Sequence, residues 1–152
     1  MKRWKLRESE YDEADGLSYV EISTYLGAFC GYSFLHPDDE DIASEFMGCE
    51  IAELRAINSY LKEEIRVLKI KLEALNDLLV NYKQMKYYSP HRKEIKMLAT
   101  KIIDLEDKIK EDEDRIQCYK NLIKYRIDNH RAECESFDKK VETIKKKLEI
   151  ED

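Results

Sequence analysis

The chain has 152 residues, of which 39% are charged, with only four glycines and two prolines; that composition argues against a compact mixed fold, with little sheet expected, and for an all-α protein. Its formal charge is −6. No stretch approaches the roughly 18 to 20 successive apolar residues of a membrane span, and "MKRWKLRE" runs into acids rather than an apolar leader core, so a cytoplasmic protein with no membrane partner is expected.

Four cysteines, Cys30, Cys49, Cys118 and Cys134, are scattered without a close pair, which argues for reduced thiols and against a disulfide framework. The abundance of Lys, Ile, Glu, Asp and Tyr fits an AT-rich genome, that of a low-GC bacterium or its phage.

The first segment is a small acidic head, residues 1–48. Lys2, Arg3, Lys5 and Arg7 form a short basic start, and from Glu8 to Gly48 there are eleven acids and no Lys or Arg. All four glycines fall here, Gly48 being the last, which places the domain boundary beside it. Within the head, "LSYVEISTYLGAF" is expected to form a short helix ended by Gly27, "CGYSFLHP" a connector, and "PDDEDIASEF" an acid-rich helix start.

The second segment, 49–152, carries heptads. Ile51, Leu54, Asn58, Leu61, Ile65, Leu68, Leu72, Leu75, Leu79 and Tyr82 step by three and four, and Ile95, Leu98, Ile102, Leu105, Ile109, Asp112, Ile116, Tyr119 and Ile123 do the same. Each is a coiled-coil seam. Folding the chain at Tyr88 and Ser89 sets seam on seam: Tyr82 faces Ile95, Leu75 faces Ile102, Leu68 faces Ile109, Leu61 faces Ile116. This predicts an antiparallel coiled-coil hairpin with its tip near 88–90, where Ser89 caps a second helix that Pro90 begins. The flanks of that register bring Lys69 to Glu106, Lys62 to Glu113 and Glu64 to Arg115.

At about 1.5 Å per residue the second arm outruns the first by roughly 30 Å. Its stripe continues as Ile127, His130, Cys134, Phe137, Val141, Ile144 and Leu148. An apolar stripe needs cover. Apolar residues of the head, such as Val20, Ile22 and Phe29, are one expected cover; a second copy of the chain, giving a homodimer, is the other.

Chemistry is sparse. His130 and Cys134 share a helix face and would make a tetrahedral zinc site with Cys30, His36 or Cys49 alongside, but small thiols on an apolar stripe more often simply pack, so no metal and no cofactor are expected. There is no H-E-x-x-H, G-x-S-x-G or phosphate-cradling glycine loop, so no enzyme is expected.

"DEDIASEFMGCEIAELRAINSYL" resembles a helix-turn-helix DNA-binding unit, with "DIASEF" as the positioning helix and "AELRAINSYL" as the recognition helix. The resemblance implies a DNA-binding regulator dimerised by its coil. Asp38 to Glu53 nevertheless holds seven acids and no base, whereas affinity for DNA comes largely from neutralising phosphates.

An acidic, tyrosine-rich head suits a basic protein surface better, since its field speeds encounter and imitates nucleic acid. The candidate partner-binding residues are Asp12, Glu13, Asp15, Asp38, Asp39, Glu40 and Asp41, with Tyr11, Tyr19 and Tyr32 as anchors. The expected function is an inhibitor or adaptor, phage-encoded in its most concrete form, occupying a basic host protein of the nucleic-acid-handling kind without touching nucleic acid itself. A coiled-coil spacer is the remaining alternative.

Overall fold

The computed structural model describes residues 3–34, 45–85 and 91–151. Three strands, β1 (Trp4–Asp12), β2 (Leu17–Thr24) and β3 (Gly27–Phe34), precede two long helices, α1 (Glu45–Gln84) and α2 (Arg92–Glu151). The protein is therefore mixed α+β, and the expected all-α class is wrong for the head. Of the segments read as a helix and a connector, residues 17–34 form a β-hairpin.

The physical reason is a period of two that the helical reading missed. Along β2, Ser18, Val20 and Ile22 are buried while Tyr19, Glu21 and Ser23 alternate with them and are less buried, and β-branched and aromatic residues suit such a half-buried pleat. Leu17 and Val20 also sit three apart. That spacing imitates a helix face when viewed without the residues between.

The sheet is antiparallel in the order β1-β2-β3. Tyr11 pairs with Ser18, Tyr19 with Tyr32 and Val20 with Gly31, while the β1 register shifts between Leu6 and Glu8, leaving Arg7 as an extra residue. Gly16, with φ 65°, and Gly27, with φ 117°, take backbone conformations that side chains disfavour and so mark the two turns. Asp12 Oδ1 accepts the Ala14 N–H at 3.0 Å, and Thr24 Oγ1 accepts the Leu26 N–H at 3.1 Å while donating to the Gly27 carbonyl at 2.8 Å. These side chains shape the turns locally.

Two compact units divide the chain, Met1–Ile57 with Tyr119–Asp152, and Asn58–Cys118. In the first, the inward face of β2 and β3 lies on the opening turns of α1. A Cβ placed on Gly31 would collide with the Ala52 carbonyl oxygen and come within 2.6 Å of Ala56 N, and one on Gly48 would collide with Ser18 Oγ. Gly48, Ala52 and Ala56 recur every four residues, so one side of the helix is small enough for backbone to approach backbone. Val20, Ile22, Ile51 and Ile57 are buried in this unit, each contributing about 1.5–3 kcal/mol by leaving water. Arg126 bridges to Glu50 at 2.9 Å.

The second unit is a helix hairpin. Leu61, Ile65, Leu68, Leu98, Ile102, Ile109 and Ile116 are buried, as the two seams require. Lys69 pairs with Glu113 at 3.7 Å and Lys108 with Glu64 at 3.6 Å, whereas the sequence placed Lys69 at Glu106 and Glu64 at Arg115. The flanks are those expected of antiparallel helices, and each partner lies one heptad along. Tyr82 and His91 stack with ring centroids 5.1 Å apart at the ends of the two helices. The expected tip at 88–90, with its Ser89 cap, lies outside the described residues.

Two polar groups, Asn58 and Asp112, interrupt this apolar seam, and Glu64 lies on its flank. Asn58, Asp112 and Glu64 are buried, the last two fully, and Glu64 accepts the Tyr60 hydroxyl at 3.3 Å.

Gly48 sits inside α1, which runs unbroken from Glu45. The turn that a helix-turn-helix unit needs there is absent. Most of the first helix of the resemblance, 41–44, lies outside the described residues.

The close approach at Gly31 makes a test. Gly31→Val is expected to destabilise the protein by about 3 kcal/mol, because the obstacle is helix backbone rather than a mobile side-chain end. Urea titration should show a lower midpoint for it, and almost none of that loss for Ala28→Val on the exposed face of the same strand.

Candidate functional site

The sheet has a second face, turned away from α1. Because side chains alternate, β1 contributes Glu8, Glu10 and Asp12 to it, β2 contributes Tyr19 and Glu21, and β3 contributes Cys30, Tyr32 and Phe34. Tyr32 and Phe34 are 55% and 64% exposed. Aromatic surface left in water beside carboxylates is a common composition for docking surfaces.

Tyr19 and Tyr32 are cross-strand partners with ring centroids 5.1 Å apart at 51°. Such a tilted pair holds both rings in place without covering them. On the helix side, Arg55 Nη1 donates to the Tyr32 carbonyl at 2.7 Å, fixing the β3 backbone under the ring. The Tyr19 hydroxyl and Cys30 Sγ share a hydrogen bond at 3.1 Å, which, with burial and nearby Glu21, holds the Tyr19 proton well above the usual tyrosine range.

The carboxylates crowd one another. Glu8 shares a hydrogen bond with Glu10 and feels its like charge, so its carboxyl is held above the ordinary carboxylate range, with Arg7 opposing. Arg7 Nε lies 3.5 Å from Glu21 Oε2. The bulge makes this possible, since it places Arg7 and Glu8 together opposite Glu21.

Of the residues that the sequence nominated, Tyr19 and Tyr32 meet on this face, Asp12 ends its first strand, and Glu13 and Asp15 lie in the β1–β2 turn. Tyr11 pairs with buried Ser18 and belongs to the opposite, inward side. Asp38, Asp39, Glu40 and Asp41 lie outside the described residues. Sequence reasoning missed Glu8, Glu10, Glu21, Cys30 and Phe34, although the alternation Y-x-E in "SYVEIST" was the pattern that identifies the exposed row.

Among the described residues no group of three or more His, Cys, Asp and Glu converges to hold a metal; His36 and the Cys134 side chain lie outside them. Nor, among them, is any helix long and apolar enough to cross a membrane. No protein-family model, curated protein or solved structure matches the chain.

The Glu8–Glu10 pair makes a pH prediction with a definite sign. A folded chain that holds the Glu8 proton more tightly than the unfolded one has a contribution to stability that is present in acid and lost as pH rises through the raised value. An NMR titration should find Glu8 titrating above ordinary glutamate, and Glu10→Gln should bring it down.

Proposed function

We propose that this protein is a non-enzymatic, cytoplasmic interaction protein, an adaptor or inhibitor, whose outward sheet face docks on a basic surface of another protein. The observation that carries the proposal is the Tyr19–Tyr32 pair, held on a rigid sheet and ringed by Glu8, Glu10 and Glu21. Two rings supply apolar area at low entropic cost, and three carboxylates supply direction and discrimination. Turn residues Glu13 and Asp15 add to the same negative field.

Charge along the chain supports the choice of partner. The head holds four bases and eleven acids, whereas 49–152 holds 23 bases and 22 acids, so almost all the net charge is gathered in the first third. A field concentrated in this way attracts a Lys- and Arg-rich surface of the kind that handles nucleic acid and repels nucleic acid itself. The partner is thus a nucleic-acid-binding protein whose phosphate-contacting residues are occupied by carboxylates.

Affinity purification from the source cell, using the intact chain as bait, tests this. The retained protein is expected to be basic, to elute as salt is raised, and to be displaced by heparin. Tyr32→Ala should weaken its retention roughly tenfold, and Glu8→Lys with Glu10→Lys should abolish it. Retention of the same protein by the charge-reversed chain would refute the proposal.

A further inference from the structure

The stripe along the end of α2 is only partly covered. His130 is buried and Ile127 half-buried, but Phe137, Ile144 and Leu148 are 45%, 57% and 56% exposed, with Val141 half-buried between them. The described sheet of the head packs on α1, and Phe137, Ile144 and Leu148 keep their exposure beside it. Four apolar residues at helical spacing on one face remain to be matched.

We infer that 137–148 binds the same segment of a second copy of the chain, antiparallel. The spacing of Phe137, Val141, Ile144 and Leu148 is four, three, four, which reads the same in both directions. A two-fold axis between Glu142 and Thr143 therefore sets Phe137 on the second copy's Leu148 and Val141 on its Ile144, each contact occurring twice. This is the self-complementarity that an isologous interface requires. Ile123 and His130, buried within the monomer, fall beyond the overlap.

Charge selects the direction. In a parallel pair the flanking positions would put Glu133 against Asp138 and Lys140 against Lys145, like on like along both edges. In the antiparallel pair Asp138 faces the second copy's Lys145. Glu133 reaches its Lys147 across the other edge, with the same heptad offset that joins Glu64 to Lys108 in the hairpin. Lys140 and Lys147 remain lysine neighbours, which keeps the association weak and concentration-dependent.

Sedimentation equilibrium of the intact chain, from about 1 μM to about 1 mM, tests the inference. The wild type is expected to pass from monomer to dimer, and Ile144→Glu, at an exposed position, to stay monomeric with unchanged helical circular dichroism. Asp138→Lys and Lys145→Asp should each weaken the dimer roughly three- to tenfold, and the double exchange should restore it. A monomer at every concentration, meaning that the stripe is covered within its own chain or left bare, would overturn the inference. So would strengthening by either single exchange, since relief of like charge is the signature of parallel pairing.

Discussion

The arrangement depends on one close approach, that of the β3 backbone at Gly31 to the α1 backbone at Ala52 and Ala56. A three-stranded sheet exposes two faces, and a sheet this small holds its form only if one face is covered by something else. Here the cover is a helix surface made of Gly48, Ala52 and Ala56 against Ser18 and Gly31. Small residues on both sides exchange side-chain volume for proximity. Val20 and Ile22 then lose nearly all their contact with water. The exposed face follows from the buried one: once Ser18, Val20 and Ile22 are committed inward, Tyr19 and Glu21 have only one direction left.

The helical half was legible because heptads state their own geometry. Five isoleucines at one position of α2 and leucines along α1 predicted two helices, their reversal and their seams. The head was not legible for a specific reason. Its strands are eight or nine residues long, Gly27 suits a helix end as well as a hairpin turn, and its apolar residues fit either period over so short a span. Gly31 was the strongest overlooked cue. A glycine within "AFCGYSF", between residues that favour strands, marks a place where another backbone comes close, and "CEIAELRAI" supplied a small-residue row to meet it. The candidate site was legible in part, because its tyrosines were named from composition while their acidic neighbours Glu8, Glu10 and Glu21 are joined only by strand pairing, which a helical reading cannot anticipate.

That pairing also changes what the acids mean. On a helix start, Asp38 to Asp41 would be explained by the helix dipole alone. On an exposed sheet face no such role is available to Glu8 and Glu10. The hydrogen bond that Glu8 shares with Glu10, together with their like charge, raises the Glu8 carboxyl above its ordinary range, and a cationic partner of the kind proposed would relieve that repulsion.

Within the hairpin, the Lys69–Glu113 ion pair shows why its register cannot rest on exposed charges. Lys69 meets Glu113 where Glu106 was equally available by heptad, and Glu64 meets Lys108 rather than Arg115. Long side chains reach either choice, and an exposed pair such as Lys69–Glu113 is worth about 0.2–1 kcal/mol. Repeated isoleucines are no more decisive, since a slip of one heptad would set isoleucine on leucine again. The hydrogen bond from Tyr60 to the Glu64 carboxylate runs along α1 and would survive a slip, but the ion pair of Glu64 with Lys108 crosses from one helix to the other. A buried charge weakens a seam and favours the alignment in which it finds a partner. In this hairpin the apolar positions supply the stability, and Glu64, fully buried, favours the alignment that brings Lys108 to it.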